Sequence, residues 1–368
     1  MLIVTYLASV LCLTMAVEYS RIDEGYPQGF LSHCPGSWKA AIIRPETLKK
    51  LHISVYGDNR KLLGTYDYYH IDNLAKNPRI DFRKKTVLWN GGYLDPSYGS
   101  SKLMSMSYVA RGYNFLSLDM FFFTARYYPH AARFASAVGR HTAEMLVKLT
   151  AHGLDPKKLE LVGMSLGAQT MSFVAKSFRL ITGQNVSLLT TLDPTGVCFR
   201  QLGPDRRLDR SDADFVTSIV TNMNIAGVGD HNSHLTFYVN GGEFQPGHIA
   251  WLPCDYVCSH FRAILLWMAA LLYPRDYIGV RCDTVQQAVD GNCSDLKPMV
   301  TNTMGPLTDL NKPGIYYLRT SNRWPFALGK QGLEPRVIMS KSALSSSSVV
   351  DILNAFIYHV TKYFKTVD

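Results

Sequence analysis

In Leu161-Val-Gly-Met-Ser-Leu-Gly-Ala-Gln169 a serine, Ser165, stands between two glycines just after an aliphatic run. A serine hydroxyl is a poor nucleophile unless a base removes its proton and an acid holds that base in position. A bare G-x-S-x-G arises by chance in roughly one chain in ten of this size, given ordinary glycine usage, so its setting must give it weight. Here the motif ends a strand-like run and opens a helical pattern at Leu166, a strand-turn-helix that lifts the hydroxyl above a sheet edge. Gly163 and Gly167 suit such a turn because backbone passes where a Cβ would stand. Asp193, in "TTLDPTG", closes the next strand-like run and is the candidate acid. His260, in "CDYVCSHFRA", follows a loop, begins a helix and is the candidate base. The other histidines are less well placed: His231 and His234 lie in a loop and its adjoining strand, and His141 and His152 sit on the helix before the serine. Acyl transfer also requires two N–H groups aimed at the developing oxyanion. Leu166, directly after the serine, is one candidate donor, and Tyr93, after the Gly91-Gly92 pair of "LWNGGYLDPS", is the other.

These residues need a sheet to bring them together. From about residue 85 to 275, short apolar runs ("TVLW", "NFLSLDM", "LELVGM", "VSLLTTLD") alternate with segments at 130–153 and 166–181 whose apolar residues recur every three or four positions. Such alternation predicts crossover units: an α/β fold with a mostly parallel central sheet flanked by helices. Past residue 200 the pattern gives two strand-like runs, "DFVTSIVTN" and "HLTFYVNGG", then a helix from about Ser259 to Leu272. The serine run at 345–348 reads as a linker to an amphipathic helix at 349–364, which a domain surface or a lipid surface could receive.

At 368 residues the chain has room for one large domain or two ordinary ones. A formal charge of +9 is spread without a cationic block, so no nucleic-acid partner is expected. Residues 1–20 read as a secretory signal peptide, although the initial segment lacks the usual cations. A catalytic domain is expected over 21–340, and the linker with its helix over 341–368. Removing the leader removes Cys12 and leaves Cys34, Cys198, Cys254, Cys258, Cys282 and Cys293, an even set in an export-type chain. Six cysteines allow about 15 connectivities. Cys282 and Cys293 bracket a short polar loop; Cys254 and Cys258 are also close, with a metal site as the rival reading there.

Taken together, "GMSLGAQ", "LDPTGVCF", "RLDRSDADFV", "FYVNGGEFQPG", "CSHFRA" and "KPGIYYLRTSNRWPFALG" resemble, in order, the motifs of the pancreatic lipase family over about residues 85–330. The likeness is nearest to its single-domain insect-type, phospholipase A1-like and yolk-protein members. The resemblance implies an α/β-hydrolase fold, a triad of Ser165, Asp193 and His260, and cleavage of carboxylic esters of lipids. Only nine residues separate His248 from Cys258, a short lid that in this family points to phospholipids or to small or diverse esters. Gly91 and Met164 stand where the family carries histidine, and His248 stands for a lid cysteine, so Cys254 is expected to pair with Cys258. Arg207, Asp209 and Asp212 match part of a calcium site of some lipases, but Pro204 replaces a further acid, and neither metal nor cofactor is expected.

The expected function is therefore a secreted, extracellular ester hydrolase whose partner is a lipid ester, phospholipid or acylglycerol, met through transient contact with a membrane or lipid interface. The alternative is a non-catalytic lipid-binding or storage protein on the same fold, a yolk-protein type, since fold alone never establishes activity.

Overall fold

The computed structural model describes residue 34 and residues 41–95, 98–249, 252–293 and 298–334, with the side chains of 248, 249, 252 and 253 left aside. The expected signal peptide, the serine run and the stripe at 349–364 lie outside the described residues.

Eleven strands form one sheet. In chain order they are β1 (His52–Tyr56), β2 (Leu62–Asp67), β3 (Thr86–Asn90), β4 (Asn114–Asp119), β5 (Leu159–Met164), β6 (Leu188–Leu192), β7 (Phe215–Val220), β8 (Leu235–Val239), β11 (Ile278–Cys282), β12 (Thr301–Thr303) and β13 (Gly314–Leu318). A separate two-stranded ribbon pairs β9 (His248–Ile249) with β10 (Leu252–Pro253). The sheet order is β12-β11-β13-β8-β7-β6-β5-β3-β4-β1-β2. Six of its ten pairings, from β13 to β4, are parallel, and the four at the two margins are antiparallel. This is the expected mostly parallel sheet, an α/β-hydrolase arrangement, with margins that the alternation between 85 and 275 did not contain.

The central strands read as continuous apolar runs because both faces are covered. Along β5, Leu159 and Leu161 turn to one core and Val162 and Met164 to the other. The first core is closed by helices α2 (Tyr128–Thr150) and α3 (Leu166–Thr182), the second by α1 (Ser100–Ala110) and α4 (Tyr256–Leu272). Helix α2 begins directly after the exposed Tyr127, with Pro129 in its first turn, where a missing N–H costs nothing. Helices α2 and α3 approach closely at Gly139, where a Cβ would lie 2.5 Å from the Cβ of Phe173. Helix α3 stops at Gly183, whose left-handed φ of 72° lets its N–H return to the carbonyl of Arg179. Because the parallel strands all point the same way, the loops after β3, β4, β5, β6, β7 and β8 leave from one edge. Every residue singled out for chemistry lies on that edge or on a helix reaching it.

Candidate active site

Ser165 occupies the turn between β5 and α3 with φ 56° and ψ −123°, a strained conformation for a residue with a side chain. Packing holds it there. Its N–H donates to the carbonyl of Leu192 at 3.0 Å, and its own carbonyl accepts from Thr195 N–H at 3.2 Å. These two bonds tie the turn to both sides of Asp193. The flanking glycines are steric necessities: a Cβ on Gly163 would lie 2.4 Å from the carbonyl oxygen of Gly167, and one on Gly167 would lie 2.4 Å from Asn90 Oδ1.

Asp193 is fully buried and sits just past β6 with φ 41°. Its Oδ1 accepts the N–H groups of Thr221 at 2.7 Å and Asn222 at 2.9 Å, and its Oδ2 meets Nδ1 of His260 at 2.5 Å. A carboxylate that already takes two amides accepts from the imidazole as well, which places the ring proton on Nδ1 and leaves Nε2 with a lone pair. The two amides come from the chain just after β7. Backbone donors have no side-chain signature, and the sequence reading did not find them.

His260 differs from expectation in its setting. Helix α4 begins earlier, at Tyr256, and is capped by Asp255, whose Oδ1 accepts Cys258 N–H at 3.0 Å. The histidine therefore sits a full turn inside the helix, not at its start. The aspartate directly after Cys254 is the N-cap signal that marks this start. Cys254 and Cys258 are joined, with Cα atoms 5.1 Å apart, and the bridge spans the capped first turn of the helix instead of bracing a free loop. Arg262, one turn further, is buried against this bridge and over the ring of Phe326 at 4.5 Å, and burial lowers its pKa to about 10. Cys282 is joined to Cys293, and Cys34, whose partner the sequence left open, to Cys198.

Opposite the serine turn, Gly92 has φ 103° and no room for a side chain: a Cβ would lie 2.6 Å from the carbonyl oxygen of Met164 and 3.4 Å from the amide nitrogen of Leu166. The backbone entering Tyr93 is thus pressed against the turn that carries the Leu166 amide. The Tyr93 side chain is pinned elsewhere, its hydroxyl donating to the carbonyl of Arg126 at 2.7 Å and its ring meeting Tyr128 edge-on at 5.0 Å. Among the other histidines, His141 is bonded to Glu144 and His231 to Thr236, so neither joins the serine turn.

Residues 59–326 match the Lipase family. The chain belongs to the lipase family. Its similar relatives include lipase member H-A of Xenopus laevis, 30% identical over 52% of this chain and 45% of that one, and phospholipase A1 member A of Mus musculus, 28% identical over 53% and 42%. The chain spans less than half the length of these relatives. Among solved structures, a hyperthermophilic esterase from the archaeon Pyrobaculum calidifontis aligns at 13% identity over 50% of this chain and 67% of that one, with a TM-score of 0.29.

Within the lipase family the departures noted above acquire a geometry. Met164 is fully buried in the core under α4, and the space over Gly91 is filled by the carboxylate of Asp95. Asp212, one of the residues matching a partial calcium site, has both oxygens engaged by protein donors. It takes Lys176 Nζ on Oδ1, and on Oδ2 the hydroxyl of Ser172 at 2.6 Å and the N–H of Asp209 at 3.0 Å. A buried carboxylate matched by an ammonium does not fit a divalent cation.

Proposed function

We propose that this chain is a secreted lipid ester hydrolase of the phospholipase A1-like type, with Ser165 as nucleophile, His260 as base and Asp193 as the group that orients it. The observation that carries the reading is the 2.5 Å bond from His260 Nδ1 to the fully buried Asp193, on a strand end that Ser165 brackets with its own backbone. Ser165 Oγ attacks the ester carbonyl carbon while His260 Nε2 takes the serine proton. The tetrahedral oxygen is held by the amides of Leu166 and Tyr93, each such donor being worth roughly 3–4 kcal/mol in comparable sites. Collapse of this intermediate passes the proton to the leaving alcohol, and a water activated by the same imidazole then releases the acid from the acyl-enzyme.

Support for a lipid substrate comes from the rim. The loops leaving the serine edge carry Leu94, Phe121, Phe122, Tyr127 and Phe244, and α4 adds Phe261 beside the histidine, all of them exposed. Exposed apolar groups along the edge that carries the serine suit contact with a lipid surface better than a small water-soluble ester. The short segment between β8 and α4 leaves little lid, which favours phospholipid over triglyceride. Three disulfides suit an oxidising destination, and no described helix is long and apolar enough to cross a membrane.

The test is fatty-acid release from phospholipid and triglyceride dispersions by the chain and by Ser165→Ala. The substitution is expected to lower kcat by roughly 10⁴-fold or more; equal activity in the two proteins refutes the proposal. A serine-directed phosphonate should label the parent chain and not the variant. A folded parent that takes no label favours the non-catalytic alternative.

A further inference from the structure

The chain between β3 and α1 contains a cluster that the triad does not use. A Cβ at Gly91 would stand 1.6 Å from Asp95 Oδ2 and 2.6 Å from Ser100 Oγ, so the carboxylate lies in the space that any side chain at 91 would take. Asp95 Oδ2 accepts the Ser100 hydroxyl proton, and Ser100 Oγ accepts Trp89 Nε1–H at 3.1 Å. Trp89 is fully buried on β3, so this chain of bonds ends on a fixed part of the core. Asp95 N–H also returns to the carbonyl of Gly92 at 3.4 Å. Between these ties, Gly92 and Leu94 both hold left-handed φ values, 103° and 56°, and Leu94 has a side chain that disfavours one. Gly92 takes its value freely, but Leu94 persists there only where the surroundings hold it. The same segment is the one pressed against the Leu166 amide.

We propose that Asp95 is a positioning residue for the oxyanion loop and that glycine at 91 exists to admit its carboxylate, which through Ser100 and Trp89 fixes the backbone presenting the Tyr93 amide beside that of Leu166. The inference rests on the ester-hydrolase reading above. Burial lifts the Asp95 carboxyl above its ordinary range, Ser100 opposes the lift and Asp119 adds to it. The amide of asparagine has the same shape and keeps one oxygen to accept the Ser100 hydroxyl, so it should serve in the same place.

Four variants test this: Asp95→Ala, Asp95→Asn, Gly91→Ala and the double Gly91→Ala/Asp95→Ala. On a short-chain soluble ester, Asp95→Ala and Gly91→Ala should each lose about tenfold or more in kcat, with KM within about twofold, because a misplaced donor is felt in the transition state. Asp95→Asn should stay within about threefold of the parent, and the double variant should match Asp95→Ala, since the crowding at 91 disappears with the carboxylate. Amide hydrogen exchange over residues 90–95 should quicken in Asp95→Ala and Gly91→Ala while the rest of the chain keeps its protection. A folded Asp95→Ala with the parent's kcat and unchanged exchange overturns the proposal, as does an Asp95→Asn no better than Asp95→Ala, or losses that add in the double variant. A parent chain that neither hydrolyses the ester nor takes the phosphonate fails the ester-hydrolase reading instead, and the exchange result then decides alone whether Asp95 holds the loop.

Discussion

Asp193 is fully buried, and three donors, two amides and an imidazole, replace the hydration its carboxyl gives up. His231 shows the opposite balance. Burial, then the nearby charges of Arg210 and His234, lower its pKa from 6.5 to about 4, and the neutral ring is bonded to Thr236 at 2.8 Å. In the unfolded chain the imidazole takes a proton near pH 6.5, whereas in the folded protein it does so only near pH 4. Its contribution to stability is present in full above pH 6.5 and is lost as the pH falls towards 4. Denaturation of His231→Gln over this window should show a shallower decline than the parent, by about 1–2 kcal/mol after allowance for partial solvent screening. Equal slopes would mean that the ring protonates freely in the folded protein.

At the level of elements, the crossing of α2 over α3 is set by one residue. Gly139 lies 2.9 Å, measured from its absent Cβ, from the carbonyl carbon of Phe173, so Gly139→Ala must push the helices apart. Overpacking of this kind costs about 1–3 kcal/mol, to be read as a lower denaturant midpoint with an unchanged slope. Since α3 carries the serine turn at its N-terminus, about two turns from Phe173, the same variant reports how far the shift travels if activity is followed in parallel. The central elements were legible in the sequence because each strand from β3 to β8 is short, apolar and bounded by turn residues, and each long helix repeats its apolar positions. The margins were not. β2 is half-exposed along its length and β12 has three residues, so neither offers the uninterrupted apolar run of a doubly covered strand. The candidate site was legible wherever a side chain carries the proposed chemistry: Ser165, Asp193 and His260 each stand at a turn or helix that the sequence marks. The amides of Thr221 and Asn222, and the Asp95 carboxylate folded back over Gly91, depend on where backbone lies in space, which no residue type announces.

For the whole molecule, the longest covalent constraint is the bridge from Cys34 to Cys198, 164 residues apart in the chain. It fastens the N-terminal part of the chain to the segment that follows Asp193. Closing a loop of that length removes unfolded-state entropy equivalent to about 5 kcal/mol on the chain-entropy account. Paired Cys34→Ser and Cys198→Ser substitutions should lower the unfolding free energy by about 3–5 kcal/mol, measured by reversible denaturation without reductant. A loss below about 1 kcal/mol would mean that the unfolded chain is already compact.

The short bridge at the foot of α4 bears on where the proposed chemistry can begin. Cys254 and Cys258 share the first helical turn with the Asp255 cap, and the imidazole rides directly above. Thiols in reducing cytosol stay unpaired, so a copy there holds that turn by its cap and by the packing of the helix behind it. Full alignment of the imidazole would then await passage into an oxidising compartment, and membranes reached from the cytosol would be spared the proposed activity.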